Sequence, residues 1–199
     1  MTMIRTAIQK LNLRMTSRFQ LAMALLGLMV FLAGAGTGFC DEVQFTEYQV
    51  KALFLMNFTK YVDWPADAFA GTNTPMVIGV YGDNLFGEDL PKTVAGRKVA
   101  NRDIVIRQIE STNDLAQCQI VFISNSEKKH LGEILDKLKA LPVLTVGESE
   151  QFTKLGGMIN FVKKDGTIHF EVNLAAAHLA QLRISSKLLT VADKVGGKQ

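Results

Sequence analysis

Apolar positions recur along this chain in two rhythms. From Phe45 to Tyr61, Tyr48, Ala52, Leu55 and Phe58, with Val62 beyond, return at spacings of three and four, which predicts an amphipathic helix. Trp64-Pro65 stops it, because the residue before a proline is pushed out of helical geometry. Met76–Tyr81, bounded by Pro75 and Gly82, is a short apolar run that predicts a buried strand. Asn101–Ile109 alternates, with Ile104 and Ile106 on one face and Val105 and Arg107 on the other. Gln119–Ile123 is the most apolar stretch and predicts a central strand. Ser124-Asn-Ser-Glu127 follows as a capping box, with Ser124 as N-cap of a helix striped by Leu131, Ile134, Leu135 and Leu138. Pro142–Val146 predicts the next strand.

The C-terminal third changes rhythm. Gly157–Val162 and Thr167–Val172 flank Lys163-Lys164-Asp165-Gly166, and Asp-Gly between two strands is a hairpin signal. Asn173 is placed to cap a last helix carrying Leu174, Ala177, Leu182, Leu188, Leu189 and Val191, with residues 196–199 as a tail. Strands and helices alternate through the middle, which argues for a mostly parallel sheet covered on both faces. The expected fold is α/β: a three-layer sandwich of Rossmann-like or flavodoxin-like form, with the C-terminal hairpin as an antiparallel edge. No Pro/Gly/Ser linker interrupts residues 39–195, so they are read as one domain.

Charge alters the picture at one end only. The 199 residues carry a formal +3, yet Arg5, Lys10, Arg14 and Arg18 all precede Phe39 and no acid does. Taking those four from the 22 Lys and Arg leaves 18 against 19 Asp and Glu, so the body lacks the positive excess of a nucleic-acid binder. No charge falls between Arg18 and Asp41, and the apolar run Leu21–Ala33 is followed by the small residues Gly34–Gly38. This is the pattern of a secretory signal peptide over residues 1–38, cleaved at about 35–39. An uncleaved anchor and a lipid-modified Cys40 are the rival readings, and Phe39 stands where a lipoprotein signal needs a small residue. Export to a periplasm follows. There Cys40 and Cys118 could be oxidised, with nothing in the sequence to show that they pair.

Candidate chemistry is sparse. Gly79-Val-Tyr-Gly82-Asp83 ends a strand, where doubly wound folds bind ligands, but it lacks the third glycine of a dinucleotide fingerprint. There is no Gly-x-Ser-x-Gly elbow, and Ser124 and Ser126 are explained by capping. None of His130, His169 and His178 has a nucleophile at motif spacing. His169, Glu171 and His178 could bind zinc, and an exposed polar strand face explains them equally. No enzyme, cofactor or metal is therefore expected. Trp64, the only tryptophan, could anchor a partner or pack its own loop. Glu171 and Arg183, the latter placed in the last helix, could form an ion pair or flank a contact surface on the outward face of the hairpin.

Together these segments resemble a known family. Lys51–Pro65 resembles the opening helix of the YfiR family of periplasmic proteins. Val77–Gly82, Cys118–Ile123 and Pro142–Gly147 are similar to its middle strands; Gly156–Phe161, Phe170–Ala177 and Leu182–Leu189 are similar to its C-terminal signature. The resemblance runs from about Glu47 to Ala192. It implies a periplasmic repressor that binds the periplasmic part of a membrane-anchored diguanylate cyclase, lowering cyclic di-GMP and biofilm formation. A periplasmic small-molecule binding protein is the alternative. A homodimer and a small-molecule effector stay open. Trp64, Glu171 and Arg183 are the expected partner-binding residues. Only Cys118 lies within the matched region, which sets this chain apart from members with more cysteines.

Overall fold

A computed structural model describes residues 44–197. The export segment, its cleavage region and Cys40 lie outside the described residues, as do the last two residues of the tail. The described chain opens with helix α1, Glu47–Tyr61. Thr46 caps it: its hydroxyl accepts from the Gln49 amide while the Gln49 side chain accepts from the Thr46 amide. Its buried stripe holds Ala52, Leu55 and Phe58, as the spacing predicts, but also Lys51, Met56 and Thr59.

Strand β1 (Val62–Asp63) leads past Trp64-Pro65 to β2 (Met76–Tyr81), α2 (Asp89–Val94), β3 (Lys98–Val99) and β4 (Arg102–Ile109). Next come β5 (Ile120–Ile123), α3 (Leu131–Leu138) and β6 (Leu144–Gly147). The chain finishes with β7 (Ile159–Lys164), β8 (Thr167–Asn173), α4 (Leu174–Leu179), β9 (Arg183–Ile184), α5 (Ser186–Leu189) and β10 (Lys194–Gly196).

One sheet has eight strands in the order β10-β8-β7-β6-β5-β2-β4-β3, and β1 pairs with β9 in a separate ribbon. Within it β4, β2, β5, β6 and β7 run parallel, with the first of them along the chain, β2, between the second and third. That is the strand order of flavodoxin-like sheets. Alternation splits the core in two. Ile78, Val80, Ile120, Phe122, Leu144 and Val146 face α1, α2 and the C-terminal helices. Val77, Val121, Ile123 and Val143 face α3 and the loop carrying Phe152.

The structure corrects four expectations. The stretch after Asn173 is not one helix. Asn173 does cap α4, accepting from the Ala176 amide, but Gln181 turns left-handed (φ 58°). Arg183 and Ile184 then pair with Asp63 and Val62, so Arg183 lies on a strand. The Asp165-Gly166 hairpin joins antiparallel β7 and β8 but is not the sheet edge, because β10 runs parallel along the outer side of β8. The expected tail is therefore partly a strand through Gly196. A Cβ on Gly197 would come 2.7 Å from the Ala175 nitrogen, so glycine allows this close approach. Finally, Ser124 caps only a single 3₁₀ turn, Asn125–Glu127; α3 begins later, after His130.

The β3–β4 hairpin turns on Ala100 and Asn101, both with positive φ (47° and 62°). That turn type prefers Asn and Gly, because a Cβ is strained there. Ala100→Gly is expected to stabilise the protein by about 0.5–1 kcal/mol, since relief of that strain outweighs the added unfolded-state entropy. A rise in thermal midpoint of a few degrees would show it; a fall would contradict it.

Candidate functional site

Doubly wound sheets hold ligands at the carboxyl ends of their strands, where strand order reverses. Here that point lies between β2 and β5, and the chain fills it with its own side chains. A Cβ on Gly82 would sit 2.5 Å from Ser126 Oγ, 2.8 Å from Glu127 Cγ and 3.2 Å from Ser124 Cβ. The Ser126 hydroxyl accepts from the Asp83 amide at 3.0 Å, and the Gln108 side chain donates to the Gly82 carbonyl at 2.9 Å. Ser124 and Ser126 thus close the crevice, and of the two only Ser124 caps the turn, its hydroxyl accepting from the Ser126 amide.

Beside it, at the ends of β5 and β6, lies a charged cluster not foreseen from the sequence. Lys51 is only 3% exposed. Its ammonium reaches Glu47 Oε1 at 2.5 Å and Glu148 Oε2 at 2.6 Å. Glu148 follows the last residue of β6 and accepts from the Tyr48 hydroxyl (3.2 Å) and the Asn125 amide (3.3 Å). Lys163 on β7 closes the circuit at 3.0 Å from Glu47 Oε2. The cluster borders a cleft of about 260 Å³.

Its electrostatics are internally balanced, two cations against two carboxylates. The Lys51 hydrogen bond holds the Glu47 carboxyl below the ordinary glutamate value. Burial, then the Glu148 charge, pushes the Tyr48 phenol well above its usual range. The arrangement ties the start of α1 to the β6 end and the hairpin. Lys51 was legible in principle, because it lies three residues after Tyr48 and four before Leu55, on the buried stripe. Glu148 carried no such signal.

Cys118 packs against Gly79, whose added Cβ would lie 2.8 Å from its sulfur. Burial raises its thiol to about 11, so it is protonated at neutral pH. Among the described residues no three His, Cys, Asp or Glu side chains converge to hold a metal ion.

The three expected contact residues are not brought into one patch. Trp64 is half-buried and pegs its own loop: its indole N–H donates to the Gln119 carbonyl at 3.1 Å. The buried Gln119 side chain in turn donates to the Ala68 carbonyl and accepts from the Val77 amide. Glu171 sits on β8, opposite Asn160 and Lys194, on the face away from Phe170 and Val172. Arg183 sits in the ribbon opposite Asp63, and no ion pair links it to Glu171. Trp64 and Arg183 therefore share one end of the fold, through β1 and β9, while Glu171 belongs to the large sheet.

The YfiR/HmsC-like family model (DUF4154) matches residues 48–193, from the second residue of α1 through α5 and so nearly all of the described chain. The chain belongs to the YfiR/HmsC-like family. No curated protein matches the sequence. Among solved structures, this YfiR/HmsC-like chain is similar to a conserved domain protein from Vibrio cholerae O1 biovar eltor. The two share 10% identity over 76% of this chain and 61% of that one, at a TM-score of 0.51, a likeness of fold alone. It also aligns with the ABC domain from Streptococcus pneumonia solved with L-Trp, at 14% identity, 60% and 54% coverage and a TM-score of 0.42. The chain spans less than two thirds of the length of either structure. No helix among the described residues is long and apolar enough to cross a membrane.

Proposed function

We propose that this protein is a non-enzymatic periplasmic regulator. It binds the periplasmic part of a membrane-anchored diguanylate cyclase and represses it, which lowers cyclic di-GMP and biofilm formation. The observation that carries the reading is the family match across residues 48–193. The leader-like N-terminal sequence fits export. The crevice at the β2–β5 reversal, packed with Ser124, Ser126 and Glu127, favours a surface-binding protein over one holding a small molecule at that point. The cyclase would engage the end of the fold that carries Trp64 and Arg183, with Glu171 as a separate contact on the hairpin's outward face.

Deletion and complementation in the native host test this. Deletion is expected to raise cyclic di-GMP, and the full chain returned in trans is expected to restore it. An unchanged cyclic di-GMP level on deletion would overturn the reading. So would a full deletion phenotype in a host without membrane-anchored cyclases.

A further inference from the structure

A second cleft lies at the opposite, amino-terminal end of the parallel strands, beside the first residues of β2 and β4. It measures about 540 Å³, within the range of about 300–1,000 Å³ common for binding clefts. Trp64, Phe69 and Met76 supply apolar walls. The charged residues that line it are Lys60, Lys98 and Arg102 against a single carboxylate, Asp63. That cation excess is local, because the body of the chain is close to neutral.

The cleft's groups are held in different ways. Arg102 is fixed: its guanidinium lies 4.0 Å from the centre of the Phe69 ring, and one nitrogen donates to the carbonyls of Gly71 (2.8 Å) and Thr74 (2.6 Å). A guanidinium has five N–H donors, so capacity for a further acceptor is left. Trp64 is fixed by its bond to Gln119. Lys98 meets Asp103 at 2.7 Å, but both side chains are more than half exposed, so the pair holds it weakly. The side chain of Lys60, in the last turn of α1, is exposed and makes no ion pair among the described residues. Held Trp and Arg anchors with an exposed cationic rim are what protein-recognition surfaces use: the anchors give affinity and the rim charges give steering.

We propose that this cleft receives an acidic, extended segment of the membrane-anchored partner, with an apolar side chain against Trp64, Phe69 and Met76 and carboxylates against Lys60, Lys98 and Arg102. The inference rests on the reading of the protein as a cyclase repressor and names the surface on which the partner docks.

The test uses the full chain in its native host. Lys60→Glu with Lys98→Glu is expected to weaken binding at least about tenfold and raise cyclic di-GMP towards the deletion level, at an unchanged melting temperature. Asp136→Lys, exposed on α3 and away from the cleft, should leave cyclic di-GMP at the wild-type level. A photo-crosslinking variant, Val99→p-benzoylphenylalanine, is expected to form an adduct with a cyclase peptide rich in Asp and Glu. This arm also decides the matter if the charge-reversed chain does not fold. Suppose deletion raises cyclic di-GMP while a folded Lys60→Glu, Lys98→Glu chain still represses fully. The docking inference then falls and the regulatory reading stands. No adduct, an adduct to a neutral or basic segment, or one to a second copy of this chain would also overturn the inference. If deletion itself changes nothing, the regulatory reading fails first.

Discussion

Replacing Lys51 with methionine is expected to destabilise the protein by about 3–5 kcal/mol, the usual cost of removing one partner of a buried ion pair. For a domain of this size that is a fall in melting temperature on the order of 10 °C. The reason lies in Glu148, whose side chain is only 9% exposed. The Tyr48 hydroxyl and the Asn125 amide would remain as its donors, but no cation would offset its buried charge. Lys51→Met combined with Glu148→Gln should recover most of the loss, because the uncompensated charge is then gone. Thermal unfolding of the two variants decides the point. A double variant as unstable as the single one would mean that Lys51 acts through packing rather than charge.

The pH dependence has a definite sign. Lys51 holds Glu47 below its ordinary value of 4.5, so the folded state favours the carboxylate. That contribution is complete above 4.5 and is lost as pH falls through the lower folded value. The stability gap between wild type and Lys51→Met should therefore be largest near neutrality and shrink in acid. A gap that is constant down to strongly acidic pH would count against the pair.

Phe152→Ala is expected to cost about 3–5 kcal/mol. Phe152 is fully buried in the loop between β6 and β7, and its ring lies between two glycines. A Cβ on Gly147 would overlap one edge of the ring, and a Cβ on Gly157 the other. The loop backbone is drawn round the ring: the Phe152 amide donates to Ser149 and its carbonyl accepts from Gly157, both at 2.9 Å. Gly147→Ala in the wild-type background should cost about 1–3 kcal/mol or more through overpacking. Combined with Phe152→Ala the same methyl enters the vacated space, so the double variant should lose less than the two single losses added together. Denaturant midpoints for the three variants measure this coupling. Strict additivity would show that ring and glycine do not share the space.

Most of the α/β framework was legible before any coordinates, because β2, β5 and β6 are short apolar runs bounded by turn residues and β4 alternates. The C-terminal segment was not legible, for a physical reason. Leu182, Leu188 and Leu189 keep a helix-compatible spacing, and no Gly or Pro interrupts residues 174–195. The break comes from Gln181 in left-handed geometry and from Arg183–Ile184 pairing with Val62–Asp63, some 120 residues earlier. Local spacing carries no information about such a partner. The same holds for Gly196, which reads as tail until β8 is there to pair with it.

The sequence by itself determined the amphipathic helix α1, the order of apolar strands, the Asp165-Gly166 turn and the family resemblance. These depend on residues within one or two turns of each other, or on the order of short motifs. The tertiary structure alone decided that Lys51 is buried between Glu47 and Glu148, that the β2–β5 crevice is packed shut, and that Trp64 is tied to Gln119 while bordering a cation-rich cleft. Each joins residues far apart along the chain: Lys51 and Glu148 are separated by 97 positions, and Trp64 and Gln119 by 55. A charge's burial, and hence whether it is a solvated ornament or a structural tie, depends on what the fold places opposite it.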